Sequence, residues 1–343
     1  MSKKLKFATF SVLCVALVSV VILNVFAITQ IVLGSDFSLT YTPVKVGDIL
    51  EFGEYPQSYV GASLNNTLIS LRNAGNLTAT GKTYTSYFFQ TSTAYTEYSY
   101  NGSKYVYVPT SKFWDGSEEP DTDPNKGKYG DTGAKFSTGE SAYAQDTAAQ
   151  GKPYFFKVEP IKFRVMATNF GAEEITVESV KSIGSMAFNR SSGTNVWANS
   201  DMRKFLNGAF LTDSGIDKFA KQKTIKNNVT GNYNNGGGVD TTDYVYIASI
   251  NDLQSWWSNS SLTVGGSSAD LTKAITDFAM ATYGRNFKGT GNTYYGLRNA
   301  GTASNTICWV SYASPAKITA TNTSFVVTGS DLGYAPVFTV KLT

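Results

Sequence analysis

The sequence predicts an α+β fold of mixed, mainly antiparallel sheets with a cluster of short helices, placed after an N-terminal transmembrane helix. Three observations predict it. Strand-like runs fill the first half, helical signals gather from about residue 197, and strand-like runs return toward the C-terminus. No strand–helix–strand unit repeats, which argues against a doubly wound parallel sheet. Phe7–Ser35 carries no charged side chain, and its length exceeds the roughly 20 apolar residues that cross a bilayer.

The ends of the chain divide it. Residues 1–7 form a basic flank with Lys3, Lys4 and Lys6, residues 8–34 the apolar leader, and residues 35–45 an extended linker. A basic flank stays cytoplasmic, so a signal-anchor would leave residues 46–343 outside the cell as a single extracellular domain. Cleavage as a signal peptide is the rival reading, because Val25-Phe26-Ala27 and Val32-Leu33-Gly34 end in small residues. The first reading implies a single-pass membrane protein and the second a secreted one. Both export the chain.

Composition narrows the chemistry. The chain has 29 Lys and Arg against 26 Asp and Glu, and three of the lysines belong to the basic flank. The exported part is therefore balanced, with no basic arm or patch for nucleic acid. Histidine is absent, which removes the commonest general base and zinc ligand together. Outside the leader Cys308 is the sole cysteine, so no intrachain disulfide forms there, and its apolar neighbours Ile307 and Trp309 suggest a buried thiol.

The elements follow in order. Val46–Gly53 alternates apolar and polar residues as a half-buried strand does, and Glu54-Tyr55-Pro56-Gln57 reads as the turn that ends it. The tyrosine-rich stretch from residue 84 to 107 suggests two hairpins, with Asn101-Gly102 at one turn. Residues 113–150 read as a surface-loop insertion. Strands are expected at Tyr154–Val158, Ile161–Met166, Ile175–Val180 and Ile183–Phe188. In Trp197–Phe210, Ser200 or Asn199 caps a short helix whose apolar face is Met202, Phe205, Leu206 and Ala209, and Asn207-Gly208 stops it by tolerating a left-handed backbone. Further helices are expected at Thr212–Gln222, Asn251–Trp257 and, longest of all, Ser268–Thr282. A strand is expected at Tyr244–Ile250, and five more close the chain: Tyr294–Arg298, Ile307–Tyr312, Ala316–Thr319, Phe325–Thr328 and Ala335–Leu342.

Five short elements carry a resemblance. Gly47 to Gln57 follows a Gly-Asp-x-x-x-Phe-Gly-x-Tyr-Pro-Gln pattern, and Val158 to Met166 a Val-Glu-Pro-Ile-x-Trp-Arg-Val-Leu pattern with Phe163 in place of Trp. Trp197, Ser200, Arg203, Leu206, Asn207 and Phe210 match Trp-x-x-Ser-x-x-Arg-x-x-Leu-Asn-x-x-Phe throughout. Gly296-Leu297-Arg298-Asn299 and Gly333–Phe338 keep only part of Trp-Leu-Arg-Ser and Gly-Val-Arg-Pro-Ala-Leu, the last arginine being replaced by Ala335. Over residues 46–343 the chain thus resembles a bacterial domain family of unknown function found in surface and secreted proteins. The resemblance implies a fold similar to C-type-lectin-like and sulfatase-modifying-factor-like domains. By fold-level analogy alone it implies no activity.

The arginines of these elements, Arg164, Arg203 and Arg298, are candidate ligand-binding residues, able to grip a carboxylate or sugar. The bland reading pins each to a carboxylate or carbonyl that ties strands and helix together. Trp256 and Trp257, with the tyrosines of 84–107, suggest a stacking platform, although aromatics also fill strands and cores. Asp121, Asp123 and Asn125 alternate as calcium-loop ligands do, but without the glycine and terminal glutamate of an EF-hand. No other cofactor is indicated. The reading is a non-catalytic binding or structural module with a glycan or protein ligand and a membrane contact through the leader. The alternatives are a carboxylate-dependent extracellular enzyme on glycan or peptide, and a passive surface component with a decayed pocket. No catalytic residue is assigned.

Overall fold

A computed structural model describes residues 43–88, 91–112, 136, 151–190, 193–227, 238–282, 292–301, 303, 305–311, 314–319 and 332–342. The described chain opens with β1 (Ile49–Tyr59), α1 (Ala62–Asn73), β2 (Thr78–Phe88), β3 (Thr91–Tyr100), β4 (Ser103–Val108), β5 (Tyr154–Asn169), β6 (Glu174–Ser179) and β7 (Gly184–Ser185). Next come α2 (Asp201–Leu206), α3 (Ala209–Asp213), β8 (Ala220–Lys221), β9 (Lys223–Ile225), β10 (Thr241–Asp243), β11 (Val245–Tyr246) and α4 (Ile250–Trp256). It ends with β12 (Ser267–Ser268), α5 (Asp277–Ala281), β13 (Tyr295–Ala300), β14 (Ile307–Val310), β15 (Ala316–Thr319), β16 (Gly333–Tyr334) and β17 (Val337–Lys341).

Two sheets dominate. A nine-stranded sheet runs β11-β17-β6-β5-β4-β3-β2, with β1 added along β5 and β8 along β17. A six-stranded sheet runs β12-β15-β14-β13-β16-β7, and β9 and β10 form a small ribbon. Among the described residues every pairing between these strands is antiparallel except β13 with β16, and the isolated bridges Lys112 with Thr282 and Ser182 with Ile275 are parallel. The core lies between the sheets, where Phe52, Phe163, Phe219 and Phe338 meet ring to ring at centroid distances of 4.9–6.1 Å. A second aromatic group joins Tyr55, Tyr84, Phe210 and Phe278.

This corrects the expected α+β fold with its cluster of helices. The fold is mostly β-sheet with few helices. The longest described helix, α1, precedes the Trp197–Phe210 stretch rather than following it. The long helix expected over Ser268–Thr282 is broken for a physical reason. Ser268 and Thr276 turn their hydroxyls onto the backbone N–H groups of Asp270 and Ala279, offering the chain an alternative to helical bonds. Ala274 and Ile275 bridge to neighbouring segments instead, leaving one 3-10 turn and the five-residue α5. The C-type-lectin-like arrangement falls with this correction. Among the described residues no helix is long and apolar enough to cross a membrane. The expected leader, residues 8–34, lies outside them, as does the strand expected at Phe325–Thr328.

Local expectations fared unevenly. The Asn101-Gly102 turn joins β3 to β4, with both residues at positive φ (48° and 75°) as a two-residue hairpin demands. Glu54–Gln57 is no turn. β1 runs straight through it on two bulges, the first at Gly53, whose φ of +59° and close approach to the Ser214 carbonyl exclude a side chain. The two strands expected at 154–166 form one sixteen-residue strand, β5. From the 113–150 insertion only Phe136 is described; it is buried and stacks on Tyr59 at 4.4 Å.

Candidate functional site

Strand pairing aligns one row of residues across the large sheet. Tyr246 stands opposite Val337, Val337 opposite Glu178, Glu178 opposite Arg164, and Arg164 opposite Ile49. Directly opposed residues of antiparallel strands point to the same face, so these side chains form a line running from β11 to β1. Neighbouring positions fall on the other face, where Phe338, Val177 and Val165 make the apolar row that packs the core. The row is buried at Tyr246, Val337 and Glu178 and reaches solvent at Arg164.

The helix α4 crosses this face. Its start is fixed by a capping box, in which Ser249 Oγ accepts from the Asp252 N–H at 3.1 Å and Asp252 Oδ2 accepts from the Ser249 N–H at 2.8 Å. Three strand steps of about 4.8 Å separate β11 from β5, a span of about 14 Å. The short helix with its following residue is of that length at about 1.5 Å per residue. Trp257 therefore arrives above β5, where the Arg164 guanidinium lies 5.9 Å from its ring centroid.

Charges along the row are paired unevenly. At the β11 end Arg298, on β13, donates from one Nη1 to Asp252 Oδ2 at 2.6 Å and to the Ile247 carbonyl at 2.7 Å, and its guanidinium covers the Tyr246 ring at 5.2 Å. In the middle Lys273 donates to Glu178 Oε2 at 3.0 Å and to the Ser179 carbonyl at 2.8 Å. Burial raises the Tyr246 hydroxyl above its ordinary pKa, and the Asp252 carboxylate adds to that. Three buried polar atoms of this region have no hydrogen-bond partner: Glu178 Oε1, Arg298 Nε and Trp257 Nε1. Buried polar groups are normally satisfied, so three along one row call for a reason.

The structure thus brings three of the predicted site residues, Arg164, Arg298 and Trp257, to one face of the sheet, while Trp256 packs half-buried against the core. Arg203 stands elsewhere. Its Nε meets Asp243 Oδ1 at 2.6 Å, its Nη1 the Ala198 carbonyl at 3.1 Å and its Nη2 the Thr242 carbonyl at 3.4 Å. The buried Asp243 also accepts from Trp197 Nε1 at 2.9 Å and Thr241 Oγ1 at 2.7 Å. Ser200 caps α2 as expected, accepting from the Arg203 N–H. Asn207 and Gly208 do not stop it through a left-handed backbone, since both have negative φ. Instead the Asn207 amide clamps β11, accepting from the Tyr244 and Val245 N–H groups and donating to the Val245 carbonyl.

Glu178, Lys273, Tyr246 and Asp252 were not singled out from sequence. The alternation Glu174, Thr176, Glu178 against Ile175, Val177 was a legible sign of a polar strand face, and Ser249-x-x-Asp252 of a capping box. Their partners were not legible. The tyrosines of 84–107 divide between faces, Tyr84 entering the core and Tyr98 and Tyr107 packing with Arg72 of α1. Cys308 is buried, and burial pushes its thiol up to about 12. Asp121, Asp123 and Asn125 lie outside the described residues. Among the described residues no three His, Cys, Asp or Glu side chains are grouped to hold a metal ion.

Fold and row together define a mainly β-sheet domain with a polar, aromatic-edged sheet face. Residues 174–341 match the family Domain of unknown function (DUF6273). The match starts on the first residue of β6 and ends on the last of β17. Those two residues, Glu174 and Lys341, are cross-strand partners, so the matched unit closes on itself. The Gly47–Gln57 and Val158–Met166 elements precede it, and β5 extends its sheet from outside. No curated protein and no solved structure matches the chain.

Proposed function

We propose that the chain is an exported bacterial surface protein whose β-sheet domain acts as a non-catalytic binding module, with the Arg164–Glu178–Tyr246 row as its binding face. The observation that carries this reading is the set of unpartnered buried atoms, Glu178 Oε1, Arg298 Nε and Trp257 Nε1, whose side chains lie along the row that runs from Tyr246 to the exposed Arg164. A ligand offering both a donor and acceptors would satisfy them, and leaving such groups unmade costs about 1–3 kcal/mol each. Ligand sites combine aromatic walls with a few convergent polar groups, as this face does. The uncharged leader supports export.

The test is a glycan and peptide array probed with the full-length chain, with and without calcium. Binding that is weakened by Glu178→Gln is expected. An array on which nothing binds, under either condition, would sink the reading.

A further inference from the structure

The binding face has a charge left over. Glu178 is matched by Lys273 and Asp252 by Arg298, each pair at hydrogen-bond distance. Arg164 is different: among the described residues no carboxylate forms an ion pair with it, and its guanidinium rests on the Trp257 ring. Burial separates these groups further. Side-chain exposure is 8% for Lys273, 5% for Glu178 and 6% for Arg298, whereas Arg164 opens to solvent on the same row. An arginine held in place by an indole, with its donors free, is prepared for a planar anion.

We propose that the ligand of this face is a carboxylate-bearing saccharide, an inference that rests on the binding-module reading above. Arg164 receives the sugar carboxylate. The half-buried indole of Trp257 receives the apolar face of the ring. Glu178 Oε1, unpartnered and next to Arg164 across the strand pair, accepts from a ring hydroxyl. The division of labour follows the residue types. A saccharide offers a flat apolar face and several donors at once, and neighbouring aromatics with a buried acceptor suit both. An acidic peptide would use the arginine but leave the buried acceptor and the Trp257 indole with less to do.

Two carboxylate sugars, a galacturonate trimer and sialyllactose, are titrated against the full-length chain beside a galactose trimer, lactose and a glutamate-rich peptide. At least one acidic sugar is expected to bind, and its neutral counterpart at least about tenfold more weakly. Raising salt weakens the acidic sugar selectively. Arg164→Ala removes the acid preference while the melting transition stays in place, and Arg164→Lys restores part of it. Equal affinity for acidic and neutral sugars overturns this inference and leaves the binding module standing. Binding of the peptide alone overturns it in favour of an acidic protein ligand. Failure of both acidic sugars, when other glycans bind on the array, also overturns it; failure of every probe and of the array removes both readings.

Discussion

Two charged clusters of this molecule are built from the same residue types and differ in completeness. At α2, each nitrogen of Arg203 meets an acceptor, and Asp243 receives an arginine, a tryptophan and a threonine. On the sheet row, Glu178 keeps one oxygen unpaired, Arg298 one nitrogen, and Arg164 lacks a carboxylate. A finished network fixes geometry and has nothing left to offer a ligand. An unfinished one carries a standing cost and persists where a partner arrives from outside or where strain is tolerated. The contrast lies between the two ion-pair centres themselves; at the edge of the α2 cluster Asn227, which donates to Thr241, keeps its own Oδ1 unpaired.

The largest effect should come from breaking the finished cluster. Asp243→Ala strips the acceptor from Trp197 Nε1, Arg203 Nε and Thr241 Oγ1 together. A buried pair broken from one side costs about 3–5 kcal/mol, and here the upper end is expected. Urea unfolding followed by tryptophan fluorescence measures it, because Trp197 itself reports on the site. A loss under about 1 kcal/mol would mean the cluster is not the structural tie described here.

The row should behave differently when both partners are changed. Lys273→Met leaves Glu178 buried with neither oxygen bonded by a cation, at a cost of about 3 kcal/mol. Adding Glu178→Leu removes the stranded charge, and most of the loss should return. A double-mutant cycle on unfolding free energy separates the pair from its parts. If the double variant is as damaged as the sum of the singles, the row is as structural as the α2 cluster and the contrast fails.

What the sequence made legible follows from the range of the interactions. The Asn101-Gly102 turn, the Ser200 cap and the strands Tyr295–Ala300, Ile307–Val310, Ala316–Thr319 and Val337–Lys341 stand close to where pattern places them, whereas the two-residue strand Gly333–Tyr334 was not expected and the strand expected at Phe325–Thr328 lies outside the described residues. The helix over 268–282 failed because its hydroxyls bond locally and its backbone pairs with Ser182 and Asn292, which are remote in sequence. Of the site, sequence marked Arg164, Arg298 and Trp257 but neither the row that unites them nor Glu178. That row exists only through the registers of β5, β6, β17 and β11, and a one-residue slip would send each side chain to the other face. Arg203 looked equivalent to the other arginines; only the position of Asp243, forty residues on in the chain, separates it from them.

The smallest effect lies at the start of the same strand and tests whether exposure of the cationic partner draws the distinction. Glu174 shares the β6 face with Glu178 and is bonded by two lysines, Lys221 and Lys223, whose outer portions are in water. Those two ammoniums hold its carboxyl below the usual carboxylate range. A carboxyl lowered on folding stabilises the protein above its unfolded pKa, and that stability is lost as pH falls through the lower folded value. Glu174→Gln should therefore cost about 1 kcal/mol at pH 7: the carboxylate is buried as Glu178 is, but both lysine partners reach water, which screens the pairs. The difference from wild type should shrink through the acid range and close once Glu174 is protonated in both states. Urea midpoints of the two proteins from pH 7 down to about 2.5 measure this. Added salt should narrow the gap at pH 7, whereas the Lys273→Met loss, shielded from ions by burial, should persist. Curves that stay parallel down to the acid limit, or a Lys273→Met loss that salt removes equally, would place Glu174 and the row in one class.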